Sequence, residues 1–277
     1  MGPTTLTLPP FGGVVRKLVL ANVVVFFALA LLTFASATTA GRVIGYLGLQ
    51  PSAVAHGMIW QLVTYAFMPT GILNVALSLL TLWFTGSFLE SERGSKWFAE
   101  LFYASTVGGA AIAVLLSLIG YTGHSFLGLD PRGFAAGLWG PLFGILVAFG
   151  VLFAEMEISL FFVIRMKAKY LVAIYLLVEL AFLIRGNDRL SACVQLTCGL
   201  CAYLFVRYAP RRGLSFAASE GYFGMRNGYY RWKRRRAARK FEVYMRKQDR
   251  VVHFDKDGRY ISPEDERRDP NDKRWMN

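Results

Sequence analysis

Few side chains in the apolar stretches of this chain could do chemistry. Cys193, Cys198 and Cys201 share one apolar run, and Cys198-Gly199-Leu200-Cys201 has the CxxC form that binds metals or exchanges disulfides. No second Cys or His pair accompanies it, so small residues packed inside a membrane helix are the expected role, and no metal or other cofactor is expected. His56, His124 and His253 fall in predicted loops or in the C-terminal tail. Ser78 and Ser191 therefore have no evident base beside them, and an unaided hydroxyl is a poor nucleophile. Lysine is absent from the apolar runs around residues 135–153 and 190–206, which leaves a serine–lysine dyad unsupported too. Glu179, in Leu176-Leu177-Val178-Glu179-Leu180-Ala181, is costly in hydrocarbon. It either faces a bundle or a partner, or is a capped carboxylate near the surface, with Arg185 close by. What remains is hydrogen bonding and packing rather than covalent catalysis.

These residues are carried by elements that the hydropathy pattern makes plain. Of 277 residues, 55% are hydrophobic, and the net charge is +13. Long uncharged runs alternate with short charged segments, the signature of several transmembrane helices. Six spans are predicted: Leu18 to about Phe34, Leu73 to Leu89, Trp97 to about Ile119, Ala135 to Phe153, Tyr170 to Ile184, and Leu190 to Val206. The chain divides into an N-terminal segment 1–17, an all-α membrane domain 18–207, and a basic tail 208–277. Arg16, Lys17, Arg93, Lys96, Arg165, Lys167, Lys169, Arg207, Arg211 and Arg212 fall on one side, against Arg42, Arg132, Arg185 and Arg189 on the other. The positive-inside rule then places both termini in the cytoplasm. The first run, followed by Ala35-Ser36-Ala37, has the look of a signal peptide, but it is longer than a signal core of roughly 7–15 residues. Residues 36–69 form a long external loop, either lying in the membrane interface around Trp60 or simply packed.

Several fragments, in order and at suitable separation, resemble the rhomboid family of intramembrane serine proteases. They are Trp60-Gln61-Leu62-Val63-Thr64-Tyr65-Ala66-Phe67, Leu82 to Glu90, Gly137-Leu138-Trp139-Gly140-Pro141-Leu142-Phe143-Gly144, and Ala168-Lys169-Tyr170. The resemblance covers about residues 18–207 and implies a six-helix rhomboid-like bundle. It also implies where the chemistry would sit, and this chain departs at each place. The serine position holds Trp139, whose N–H is a donor only. The histidine position falls on Gln195, which does not titrate near neutral pH. The oxyanion-binding pair falls on Asn74 and Ser78, which keep hydrogen-bonding groups one helical turn apart. A register shift that puts Ala135 at the nucleophile position is equally inert.

The expected reading is therefore a catalytically inactive rhomboid-like protein that binds transmembrane or membrane-associated clients. A structural subunit of a larger membrane complex and an active protease with non-standard residues are the alternatives. Gly137, Gly140, Gly144, Cys198 and Ala202 are expected to let helices approach closely. Trp139 either fills the former catalytic space or joins Gln195 in recognising a transmembrane segment or lipid. In the tail, Arg231, Lys233, Arg234, Arg235, Arg236, Arg239 and Lys240 lie on a predicted helix on which Trp232, Phe241, Tyr244 and Met245 share part of one face. Such a helix is expected to bind anionic lipid; nucleic acid is not the expected partner, since no nucleic-acid fold is visible. Phe254 to Tyr260 is expected to be a turn in a mostly disordered arm or a short linear docking motif. The expected location is a bacterial-type cytoplasmic membrane.

Overall fold

The computed structural model describes residues 11–121, 128–160, 164–186, 188–209, 214–247, 252–256 and 259–261. His124, Arg211, Arg212 and the chain beyond residue 261 lie outside the described residues. Helix α1 (Gly13–Ala35) carries the first apolar run. It starts before the expected Leu18, because its first turn is capped from elsewhere: the Glu90 carboxylate accepts the backbone N–H of Val14 at 2.7 Å and of Val15 at 3.0 Å. Ser36 then caps α2 (Ala37–Leu47), its Oγ accepting the Thr39 N–H. Two short helices follow, α3 (Pro51–Ala55), with proline in its first turn, and α4 (Gln61–Thr64), which runs into a 3-10 turn at Tyr65–Phe67.

Segment 36–69 is a packed unit. Gln61 is fully buried; its Oε1 accepts the Gln50 N–H at 3.0 Å and its Nε2 donates to Tyr46 O at 3.2 Å. Trp60 Nε1 donates to the same carbonyl, its ring lying 5.0 Å from that of Tyr46. A two-way backbone bridge ties Leu49 to Ala135, just ahead of the fourth apolar run.

The second run is one rod in three parts: α5 (Ile72–Thr81), a π-helical turn (Leu82–Gly86) and α6 (Ser87–Arg93). After α6 come α7 (Ser95–Tyr121) and α8 (Trp139–Leu152). Strands β1 (Glu157–Leu160) and β2 (Ile164–Lys167) form an antiparallel hairpin that leads into α9 (Ala168–Arg185). Helix α10 (Arg189–Tyr208) is capped by Asp188, whose side chain accepts the Ser191 N–H. Among the described residues, four helices combine the length and apolarity to cross a membrane: Gly13–Ala35, Ile72–Arg93, Ser95–Ile119 and Arg189–Tyr208. Of the remaining expected spans, α8 has 14 residues, and α9 has 18 with Lys169, Glu179 and Arg185 among them.

Helix α8 is apolar all round and buried from Gly140 to Gly150, as a helix without a polar face must be. Helix α10 packs most extensively against α7 and α8. Glycines make this possible. A Cβ on Gly144 would lie 3.1 Å from the Cys198 carbonyl oxygen, and one on Gly109 would lie 2.6 Å from the Cys198 Cα and N. Thr197 Oγ1 sits 2.8 Å from the Gly109 carbonyl, a polar tie between α10 and α7 at the same level.

Glu155 anchors the hairpin. Its carboxylate meets Lys167 Nζ at 2.6 Å and Lys169 Nζ at 2.5 Å. Hydrogen bonds from Lys167, then Lys169, hold its pKa down to about 2. A depressed carboxylate stabilises the fold above its ordinary range near 4.5, and that contribution fades as pH falls toward 2. The thermal midpoints of the parent and of Glu155→Gln are therefore expected to differ at neutral pH and to converge in acid. The difference is expected to shrink with salt, since all three groups are exposed.

The chain divides into two compact units, Met1–Leu214 and Ser215–Asn277. The second contains most of α11 (Leu214–Arg246) and a hairpin of β3 (His253–Phe254) with β4 (Tyr260–Ile261). The segment from Phe254 to Tyr260 was expected as a turn in a mostly disordered arm. Its ends pair as strands on either side of the expected turn, and the Phe254 ring packs 6.2 Å from both Phe241 and Tyr260.

Candidate functional site

Polar groups from three elements converge at the start of α8. Gly137 donates its N–H to Tyr65 O at 2.9 Å and has φ +107, a conformation in which a Cβ is strained. Gly137 was expected on a helix-packing face. It instead precedes the helix and makes the turn that aims its first residue. That residue, Trp139, is half-buried against the main apolar core. Its indole Nε1 donates to Asn74 Oδ1 at 2.8 Å, and Asn74 Nδ2 donates to Thr70 Oγ1 at 3.0 Å. The acceptor that a membrane indole requires thus comes from α5.

The other two predicted positions lie on opposite sides of this indole. Ser78 is buried, and its hydroxyl is turned back onto the Val75 carbonyl at 2.9 Å. With Asn22, Thr70 and Trp139 it lines a crevice of about 10 Å³. Gln195 lies in a second crevice of about 20 Å³, with Tyr65, Ser191, Val194 and Gly140. Gly137 and Trp139 line both, so the indole is the wall between them. Each holds about one water-sized molecule. Trp139 and Gln195 thus border one crevice, while the indole N–H itself is bonded to Asn74. In place of a hydroxyl beside an imidazole, the four predicted positions offer two amides, an indole and one hydroxyl engaged with backbone.

Tyr65 escaped the sequence reading. It is fully buried, its hydroxyl donates to Thr106 O at 3.3 Å and lies 3.5 Å from Cys198 Sγ. It therefore joins the turn before α5 to α7 and α10, directly beneath the Gln195 crevice. A lone Tyr in an apolar segment carries no local signal of that role. Gly140, Gly144 and Cys198 meet at the α8–α10 contact, and Ala202 is buried one turn further along α10.

Trp139→Phe removes the bond to Asn74 while keeping an aromatic ring. It is expected to cost about 1 kcal/mol, the usual net contribution of one hydrogen bond. In a cycle with Asn74→Leu, the second change is expected to add little once the first is made. Thermal midpoints in detergent of the four proteins check this, and full additivity would show that the bond contributes nothing.

In the second unit, the basic residues Arg231, Lys233, Arg234, Arg235, Arg236, Arg239 and Lys240 are exposed on α11. Arg236 lies over the Trp232 ring at 5.4 Å, and Trp232 stacks on Tyr229. Phe241 and Met245 line a groove with Phe254 and Tyr260. The shared face expected for Trp232 and Phe241 does not form: nine residues at about 100° each put them on opposite sides of the helix.

Fold and site together define an all-α integral membrane protein of rhomboid-like kind. The chain belongs to the family described as "Eukaryotic integral membrane protein (DUF1751)", which matches residues 18–219. It is also similar to the Rhomboid-like protein 19 of Arabidopsis thaliana, 27% identical over 176 residues, covering 60% of this chain and 54% of that protein. The chain thus spans about half the length of the curated relative it matches. Because the family is described as eukaryotic, the expected bacterial-type membrane is left without support.

Proposed function

We propose that this chain is a catalytically inactive rhomboid-like protein that binds transmembrane or membrane-associated clients. The observation that carries the reading is the Trp139–Asn74 bond. An indole stands where the resemblance expects a nucleophile, and its donor is engaged by the residue expected to hold an oxyanion. Gln195 in the histidine position supplies no base. In this reading α8 and α9 complete a six-span bundle, with the short α8 enclosed by its neighbours. Both termini face the cytoplasm, where the exposed cations of α11 meet anionic lipid headgroups.

Gentle affinity purification from native membranes, with intact-mass analysis of each companion, tests the proposal. Several sub-stoichiometric single-span proteins, all full length, are the expected result. One companion at fixed stoichiometry would make the chain a structural subunit instead. Companions trimmed at one membrane-proximal point would reinstate a protease.

A further inference from the structure

Between Lys169 and Arg185, Glu179 is the only charged residue of α9. At 1.5 Å per residue it lies about 9 Å from Arg185 and about 15 Å from Lys169 along the axis, well inside an apolar rod. Ala168, Val172, Glu179 and Leu183 share one stripe at helical spacing. That stripe lies at the edge of the bundle: Ala168 and Leu183 are buried and a Cβ on Gly150 of α8 would meet the Val172 side chain, while Tyr175 and Leu176, one turn before Glu179, are exposed. Glu179 is half-buried between these packed points. Among the described residues, no hydrogen bond or ion pair reaches its carboxylate.

Among the described residues, α8 and α10 bring no cation into an ion pair with it. Helix α8 carries no charged residue, and α10 carries none between Arg189 and Arg207. Lys169 is engaged with Glu155, and Arg185 projects about 120° away around α9. Beyond Arg185 the next charged residue is Asp188, itself an acid, so no cation is at hand for Glu179 among the described residues. Beside it Tyr175, Leu176, Val178, Leu180 and Phe182 leave apolar surface exposed. An acid held in hydrocarbon with no partner of its own calls for one from outside.

We propose that Glu179 is the recognition point for a partner transmembrane helix bearing a lysine or arginine at matching depth. The inference rests on the client-binding reading and names the chemistry of the client. The probe is a labelled polyleucine transmembrane peptide with a single lysine, compared with its all-leucine parent. Both are reconstituted in phosphatidylcholine vesicles with the full chain, and association is read by energy transfer. The lysine peptide is expected to associate about tenfold more strongly than its parent when the lysine lies near the depth of Glu179. Glu179→Gln is expected to abolish the preference without moving the thermal midpoint. Glu179→Lys paired with a glutamate peptide is expected to restore it. Equal association of lysine and leucine peptides, or a preference that survives in Glu179→Gln, overturns the assignment of Glu179 alone. No association with any peptide overturns the client-binding reading with it.

Discussion

Gly109→Ala is expected to destabilise the protein by about 3 kcal/mol, at the upper end for overpacking a membrane-buried contact. The added Cβ would lie 2.6 Å from both the Cα and the N of Cys198. These are backbone atoms of α10, so no rotamer change relieves the overlap. The helices must separate, and that weakens the Thr197 bond to the Gly109 carbonyl. The neighbouring Gly108 is the control. There an added Cβ would meet Cys201 Sγ at 3.0 Å, the end of a side chain that can turn aside. Gly108→Ala is therefore expected to cost under about 1 kcal/mol. Thermal unfolding in detergent is expected to separate the two variants by several degrees. Cys198→Ala is expected not to rescue Gly109→Ala, because the offending atoms remain. Equal midpoints for the two glycine variants would show that α7 and α10 do not meet as closely as described.

The contrast between these two glycines shows what was legible in the sequence. Small residues on the fourth and sixth runs announced a close contact, because membrane helices pack through such residues. The third partner was hidden, since Gly108-Gly109 in α7 reads only as two small residues in an apolar run. The runs gave helix existence but not helix interiors. The π-helical turn at Leu82–Gly86 leaves no mark on hydropathy. Likewise the hairpin Glu157–Lys167 lies in the lead-in to the fifth run, where Ile158, Leu160 and Ile164 read as more apolar sequence. In the tail, the charges of α11 were plain. The pairing of Phe254 with Phe241 was not, because it joins residues from two elements.

At the candidate site the resemblance named four positions, and the structure arranges them differently. Asn74 and Ser78 have the i, i+4 spacing that predicts a common direction. Yet Ser78 is satisfied by its own helix at the Val75 carbonyl, while Asn74 reaches across to Trp139. A serine hydroxyl is short and bonds nearby backbone readily, whereas an amide extends further. Side-chain length, not spacing, decides which of the two serves the site. Gly137 shows the same limit: its place in the motif suggested packing, and only the backbone reveals its positive φ.

Glu90→Ala is expected to have the other large effect, again near 3 kcal/mol. The carboxylate caps the first turn of α1 from a position 75 and 76 residues away, accepting the N–H groups of Val15 and Val14. Helix α1 has no side-chain cap of its own, so these donors otherwise need water. Charge-assisted bonds of this kind contribute about 1.5–3 kcal/mol each, helped by the positive end of the helix dipole. Val15 is fully buried, which makes replacement by water costly there. Glu90→Gln keeps one carbonyl oxygen and is expected to lose about half as much. Gly13 shares the arrangement: it sits at φ +57, and a Cβ there would overlap Glu90 Oε1. Gly13→Ala is therefore expected to destabilise the parent more than it destabilises Glu90→Ala, where the steric conflict is gone and only backbone strain remains. Thermal midpoints of this double cycle, with hydrogen exchange at Val14 and Val15, measure the coupling. Additive effects, with those amides unchanged in exchange, would mean that α1 is held by apolar contacts alone.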